Sequence, residues 1–344
     1  MWHLVLFATA ICLTSTLAED VESELGLGKA INIFSRYGYL SICMKVVPRN
    51  DTESWIFREP TVNVFKNIGY LEEAPDNEIQ QKQRVFEGDF HMEFCDNLKQ
   101  LLQAYFRDFN IEKLDKPWRA FTAGWPVDVM ARNLGINSSF VLGDHCYVLV
   151  RVARYRENAK MRDLPIDVDV EDVIADAINK AGHAADSESL AEFIKKYGTH
   201  YIASYVTGNA LYQVFVYTKN VYSRIKERLK TKGVMDMSTL ELGNYFSPWY
   251  AEHIGQIRVA SGNRTVDTWA SKKLRVHYYI FTYPSLLKLH GDASLLKTLD
   301  GLLGNEALLQ LQLKTLSPAF KLPREKFWFE EMIDNYLKLW ENNM

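Results

Sequence analysis

The sequence predicts an α+β fold built as one continuous domain, and three observations support this. Four segments have strand character, at about 36–47, 140–155, 199–217 and 274–283. Between and after them, apolar residues recur at helical spacing. No repeat of fixed period, low-complexity tract or Pro/Ser-rich linker divides the chain, and 47% of its 344 residues are hydrophobic.

The N-terminal segment has the pattern of a secretory signal peptide. Residues 1–18 contain no Asp, Glu, Lys or Arg, and an apolar run extends from Leu4 to Leu13. Thr16 and Ala18 supply small residues at the −3 and −1 positions of a cleavage site, and acids follow at once. We therefore expect cleavage after Ala18, a secreted extracellular protein, and a single domain over 19–344. A buried N-terminal helix is the alternative.

The cysteines and glycosylation motifs agree with secretion. Cys43, Cys95 and Cys146 remain after cleavage, which predicts one disulfide and one further thiol, with all three pairings open. N-glycosylation motifs begin at Asn50, Asn137 and Asn263. Each would place its loop on the surface of a glycoprotein.

Two helices are predicted directly before the third strand. The first opens at Asp169, and the second opens near Ser187. The predicted buried residues are Val170, Val173, Ile174, Ala177 and Ile178 in the first helix, and Leu190, Phe193, Ile194 and Tyr197 in the second. Gly198 stands where a glycine ends a helix, and Gly208 permits a bulge or bend in the strand that follows.

A basic helix is predicted next, and a helical part completes the chain. The stretch KNVYSRIKERLKTK places Val221, Ile225 and Leu229 on one face. Its cations form a candidate membrane or polyanion face, or equally a solvated helix face: Lys219, Arg224, Lys226, Arg228, Lys230 and Lys232. The C-terminal part, about 285–344, is predicted to be helical over Leu286–Leu303, Glu306–Leu316 and Arg324–Trp340.

No pattern indicates catalysis or a cofactor. Short nucleophile, zinc-protease and phosphate-loop motifs are absent from the sequence. The aromatic neighbours of His200, Tyr197 and Tyr201, supply no nucleophile or acid for catalysis. His145-Cys146 has no further Cys or His at the spacing of a metal site. Helix capping explains the acids around Asp169 better than a calcium loop does. A net charge of −3 gives no general attraction to nucleic acid or to anionic lipid. We predict a protein that is not an enzyme and uses no metal or cofactor.

One short run indicates a family. Tyr197-Gly198-Thr199-His200-Tyr201 joins the predicted second helix to the third strand, and Gly208 follows on that strand. The run resembles the signature of the perforin-like (MACPF) superfamily, although Asn209 replaces the second glycine that often follows. The resemblance implies a fold like that of MACPF proteins and cholesterol-dependent cytolysins. That fold has a bent antiparallel sheet of four long strands and two helical clusters that can refold into membrane-crossing hairpins.

Longer runs resemble the insect Torso-like family. They are YGTHYIASYVTGNALYQVFVY, YSRIKERLKTKG, NYFSPWYAEH and LLKLHG. This resemblance implies a localised extracellular cue for activation of the receptor tyrosine kinase Torso in embryonic terminal patterning and growth control. It also implies partners from that ligand and receptor system, with a membrane surface or extracellular matrix as further candidates.

A pore-forming immune effector is the alternative function. Residues 219–270 show helical spacing and scattered charge instead of the alternation of a membrane hairpin. Pro248 would also interrupt a hairpin strand, because it has no amide hydrogen to donate. We therefore favour the non-lytic cue.

Overall fold

The computed structural model describes residues 25–35, 39–40, 62–71, 90–122, 125–184, 187–232 and 237–342. The predicted signal peptide, most of the predicted first strand, Cys43 and Asn50 lie outside these ranges. The described strands are β1 (Ala30–Ile31), β2 (Phe34–Ser35), β3 (Tyr39–Leu40), β4 (Tyr70–Leu71), β5 (Phe90–Cys95), β6 (Phe109–Ile111), β7 (Cys146–Met161), β8 (His200–Tyr217), β9 (His253–Ile254), β10 (Arg258–Val259), β11 (Arg275–Tyr278), β12 (Phe281–Pro284) and β13 (Ala307–Thr315).

The described helices pack around these strands. They are α1 (Leu98–Tyr105), α2 (Trp118–Thr122), α3 (Val127–Leu134), α4 (Ser139–Leu142), α5 (Asp172–Ala184), α6 (Ser187–Tyr197), α7 (Lys219–Lys232), α8 (Thr239–Tyr245), α9 (Arg264–Lys273), α10 (Ala293–Leu302) and α11 (Pro323–Asn342), with 3₁₀ turns at Leu286–Leu289 and Ser317–Ala319. Helices and a large sheet in one mixed arrangement agree with the predicted α+β class.

The central sheet has three long strands, β7, β8 and β13. In the described residues it contains nine strands in total: β4, β7, β8, β13 and β6 run across it, β5 pairs with β7, and β1, β9 and β10 pair with β8. The pairing is antiparallel except between β13 and β6. The predicted four-stranded antiparallel sheet is therefore wrong in detail, because short strands from the connecting segments extend and edge the long ones.

Two of the strand predictions need correction. The segment 274–283 forms a separate hairpin of β11 and β12, and the place beside β8 belongs to β13, which the sequence indicated as helix. In β13 the buried residues Leu309, Leu311 and Leu313 alternate with half-buried polar ones. This period of two fits a strand, and pairing on both sides outweighs the helix propensity of Leu, Gln and Lys. The predicted strand at 140–155 begins only at Cys146, after α4.

The helix pair before β8 is close to its prediction. Helix α5 begins at Asp172 instead of near Asp169, and Val173 is exposed where burial was predicted. Helix α6 buries all four predicted residues, Leu190, Phe193, Ile194 and Tyr197. The end of the chain is helical as predicted, and α11 buries Phe329, Ile333, Leu337 and Trp340 on one face.

The core lies on both faces of the sheet. On β7, Val148, Val150 and Val152 face one cluster with the segment 219–303, while Tyr147 and Leu149 face another with α1 and α3. A third cluster surrounds the start of β8 and holds α5, α6 and α11. Long strands buried on both faces explain the nearly continuous apolar run of β8. No helix in the described ranges is long and apolar enough to cross a membrane.

Candidate functional site

The corner between α6 and β8 depends on Gly198. Its amide donates to the Ile194 carbonyl over 2.8 Å, which ends the helix. Its φ of +89° is a conformation that residues with a side chain rarely adopt. A Cβ on Gly198 would also lie 2.6 Å from the main-chain carbon of Ile31, so the corner requires glycine twice over.

Thr199 and His200 form a buried hydrogen-bonded pair behind this glycine. His200 Nε2 lies 3.1 Å from the Glu112 carbonyl oxygen, and Nδ1 lies 2.9 Å from the Thr199 hydroxyl. Because a carbonyl only accepts, Nε2 carries the proton and Nδ1 accepts from Thr199. The same hydroxyl accepts from the Ile33 amide over 3.3 Å. The pair thus joins β8 to two distant segments.

His200 is held neutral. Burial disfavours its charged form and lowers its pKa to about 4. The partners of its ring nitrogens are a hydroxyl and a main-chain carbonyl. This is the arrangement of a structural histidine, because a catalytic base needs a reacting group within reach.

The two aromatic residues of the run pack beside the corner. Tyr197 contacts Phe193 with ring centroids 5.2 Å apart, and Tyr201 meets Phe65 edge to face at 5.0 Å. Burial raises the pKa of Tyr201 to about 12. All five residues of the predicted signature are thus brought together as one buried joint.

Gly208 marks an irregularity in both ladders of β8. The register shifts beside it on β7, between Tyr155 and Glu157, and on β13, between Leu308 and Gln310. A Cβ on Gly208 would overlap the Arg154 carbonyl oxygen. The predicted bulge or close backbone approach is present at this residue, and the sheet curls where the two ladders shift.

Two further residues hold β8 in place, Gln213 and Glu112. Of these, only Gln213 could have been noticed in the sequence, as a polar residue within an apolar strand. Gln213 is a buried polar residue within the apolar strand β8. Its amide nitrogen donates to the Gly255 and Pro284 carbonyls, each over 2.9 Å, and its oxygen accepts from the Leu286 amide over 2.6 Å. Glu112 gave no signal, because it lies 88 residues from His200 in the chain.

The predicted basic face is present on α7, with part of its charge paired. Lys219 lies 2.9 Å from an Asp144 oxygen, and Lys226 lies 2.7 Å from an Asp96 oxygen. The Lys226 ammonium and the Tyr222 hydroxyl both hydrogen-bond to Asp96, and they hold the pKa of that carboxyl below its usual range. Arg224 and Lys230 are exposed. A membrane or polyanion face and a solvated helix face both stay predictions for this helix.

The cysteines and glycosylation motifs lie in different environments. Cys95 and Cys146 are buried free thiols on the paired strands β5 and β7, so the structure does not form the predicted disulfide between these two residues. Asn137 is exposed, and its side-chain oxygen accepts from Ser139. Asn263 caps α9, and its Nδ2 donates to both carboxylate oxygens of Glu306, each over 2.9 Å.

The two sequence patterns considered as metal sites, His145-Cys146 and the acids around Asp169, do not form ligand clusters. Among the described residues, no group of three His, Cys, Asp or Glu could hold an ion. His145 pairs with Glu252 over 3.0 Å, and Asp172 pairs with Lys66 over 2.6 Å. Each of these side chains therefore has a protein partner.

Comparison with known proteins finds distant similarity of fold. No family model matches the sequence, and no curated protein matches it. Similar solved structures include GNIP1Aa from Chromobacterium piscinae, with a TM-score of 0.46 and 11% identity over 91% of this chain and 55% of that chain. A second is a putative cell invasion protein with a MAC/Perforin domain from Bacteroides thetaiotaomicron. Its TM-score is 0.42 at 10% identity, over 91% of this chain and 59% of that chain.

Astrotactin-2, a conserved vertebrate-specific and perforin-like membrane protein involved in neuronal development, is a third similar structure. Its TM-score is 0.36 at 12% identity, over 89% of this chain and 96% of that one. This chain spans 55% and 59% of the first two proteins, little more than half of each.

Proposed function

We propose that this chain is a secreted, non-enzymatic perforin-like protein that acts as a localised extracellular cue for activation of a Torso-type receptor tyrosine kinase. The run Tyr197–Tyr201 and the longer runs of Torso-like character support the family assignment. Within the run Tyr197–Tyr201, His200 is buried and neutral, which supports a structural role for this run in place of a catalytic one.

One observation carries the choice of a non-lytic cue. The segment 219–303 is tied to the sheet. It contains the insertion between the predicted third and fourth strands, which the family resemblance implies is a helical cluster able to refold. Its short strands β9 and β10 pair with β8, and Gln213 bonds three of its main-chain groups. Refolding would have to break these bonds and expose a buried core, and buried polar groups left without partners are costly.

The pore-forming alternative keeps one observation in its favour. Beyond Gly208, the strands that the described residues place on this edge of β8 are the two-residue β9 and β10, in place of β13. A short pairing opens more easily than a long one, so a lengthening hairpin would start here.

A disulfide lock separates the two functions. Val216 and His253 are direct partners on β8 and β9, and such pairs have the Cα separation that a disulfide needs. Substitution Val216→Cys with His253→Cys would hold the segment 219–303 on the sheet when oxidised. The reduced form of the same variant is the matched control.

The test adds each form to cells that express the receptor and its ligand precursor, and separately to dye-loaded liposomes. We expect receptor tyrosine phosphorylation to rise equally with wild type and with the locked form, without dye release. Dye release by wild type that the lock abolishes would establish the pore instead. Unchanged phosphorylation with wild type would reject the cue.

A further inference from the structure

The hairpin of β11 and β12 carries an exposed apolar tip. Its turn residues Tyr279 and Ile280 are 82% and 87% exposed. Trp249, 63% exposed, meets Phe281 edge to face with ring centroids 5.8 Å apart, and Tyr250 follows it at the surface. We define these five residues as the aromatic tip.

The turn itself does not favour these residue types. Tyr279 has a φ of +52°, and a two-residue hairpin turn with positive φ at its first position usually has glycine there. Large apolar side chains in water at this position gain little from burial within the chain. Their placement therefore points to a surface outside the protein.

The base of the hairpin is fixed. The Ser285 amide donates to the Leu274 carbonyl over 2.8 Å, and the Leu286 amide donates to Gln213. The Lys288 ammonium donates to the Lys273 and Arg275 carbonyls, each over 2.9 Å. A rigid base presents the tip in one geometry, which lowers the entropic cost of binding.

The hairpin and the end of α9 at its foot carry charge of one sign along the chain. Glu252, two residues after Tyr250, pairs with His145 over 3.0 Å. No Asp or Glu occurs between Asp267 and Asp292. This stretch holds exposed Lys272, Lys273 and Arg275 at the foot of the hairpin. Cations near an anionic bilayer are attracted by its surface potential, and Trp and Tyr prefer the interface between headgroups and acyl chains.

We infer that the aromatic tip docks reversibly onto an anionic lipid bilayer, with Tyr279, Ile280 and Trp249 in the interface and the lysines at the headgroups. The fold stays closed, so this contact differs from insertion of a refolded segment. The inference rests on the proposed function for its role, because it names the surface on which the cue is held. It also differs from the predicted face on α7, two of whose lysines already bind carboxylates.

The test is co-sedimentation with phosphatidylcholine vesicles, with and without about one fifth phosphatidylserine. The tip variant combines Tyr279→Gly with Ile280→Ser, and glycine suits this turn, so folding is retained. The matched control combines Leu142→Ser with Ile166→Ser, which are 75% and 100% exposed elsewhere. We expect the tip variant to bind at least about tenfold more weakly and the control to bind as wild type.

Two more measurements sharpen the result. Lys272→Gln with Lys273→Gln should remove most of the preference for phosphatidylserine. Tryptophan emission should shift to the blue on vesicle binding, and Trp249→Phe should lose most of that shift.

The inference fails if wild type does not bind either vesicle, or if the tip variant binds as well as the control. If wild type does not bind vesicles but the tip variant fails to raise receptor phosphorylation, the tip contacts a protein partner instead. The vesicle assay contains no receptor. Vesicle binding without receptor activation would therefore reject the proposed function and leave the membrane contact standing.

Discussion

The two halves of β8 are bonded differently along the same edge. Residues 200–208 pair with the nine-residue strand β13, and their start is fixed by the corner at Gly198. On that edge, residues 209–217 meet the two-residue strands β9 and β10. The amides of Glu252, Gly255 and Ala260 and the side-chain bonds of Asn209 and Gln213 add to this contact. The first half is a scaffold with a continuous ladder. The second half holds a segment that carries the exposed surface, and the ladder that attaches this segment is interrupted.

The largest effect is expected at the corner. Gly198→Val should lower the free energy of unfolding by about 4 kcal/mol, because it combines a positive φ with overlap against Ile31. Chemical denaturation measures this difference.

Gly301→Ala on α10 is the matched control, since no atom of the described residues lies within 4 Å of a Cβ there. It should raise the free energy of unfolding by roughly 0.5 kcal/mol. Equal effects of the two substitutions would show that the corner is not specially constrained.

The scaffold should also weaken in acid through His200. Its folded pKa of about 4 lies below the ordinary value of 6.5, so the unfolded chain binds the proton first as the pH falls. Neutral His200 therefore adds fully to the free energy of unfolding above pH 6.5. This stabilisation is lost as the pH falls toward 4, by about 3 kcal/mol in total. Glu112 and Lys113 are the charged residues whose fields act on it.

Denaturation curves of wild type and His200→Asn between pH 7 and pH 4 measure this loss. The difference in unfolding free energy between the two proteins should shrink as the pH falls. A constant difference would mean that His200 does not titrate on unfolding.

Gln213 tests the other half of the comparison. Gln213→Leu leaves the Gly255 and Pro284 carbonyls and the Leu286 amide without their partner, at a cost of about 2 to 3 kcal/mol. The loss should be local. Hydrogen exchange should accelerate at Leu286 and its neighbours while the amides of 200–208 keep their protection.

Gln312→Leu on β13 supplies the control. Gln312 is half-buried, and its oxygen accepts from the Ser204 hydroxyl over 3.2 Å. Its loss should cost under about 1 kcal/mol. Acceleration across the whole of β8 in Gln213→Leu would show that the two halves unfold together.

The difference between the halves also explains what sequence could predict. The corner is local: helix α6, Gly198 and the start of β8 follow one another in the chain, so spacing and glycine placement indicated them correctly. Strand β13 reaches its place through pairing with β8, about a hundred residues earlier, and with β6, about two hundred residues earlier. Its run of Leu and Gln satisfies helix propensity as well as alternation, and the local signal was ambiguous.

The same limit applies to the candidate sites. The basic residues of α7 were visible in the sequence, but their partners Asp96 and Asp144 come from distant segments. The aromatic tip went unnoticed because LRVHYYIFTY fits a buried strand as well as an exposed hairpin. Only the burial of its neighbours and the turn at Tyr279 separate the two.

The smallest predicted effect lies at the seam between the halves. Asn263 caps α9 in the segment 219–303, and its side chain donates to the Glu306 carboxylate. The Glu306 amide in turn donates to the Gly208 carbonyl over 3.0 Å. Asn263→Gln should therefore cost about 1 kcal/mol, the usual worth of a helix cap. Asn137→Gln, at an exposed site, should stay within about 0.5 kcal/mol of wild type.

Glycan occupancy should divide in the same way. A glycan replaces one hydrogen of Asn263 Nδ2, which donates to both Glu306 oxygens, whereas Asn137 is exposed. Glycosidase treatment of the secreted protein should shift the gel mobility of wild type and Asn263→Gln alike, and Asn137→Gln should lose one step of that shift. A glycan on Asn263 in a protein of unchanged stability would mean that the bond to Glu306 does not hold the two halves together.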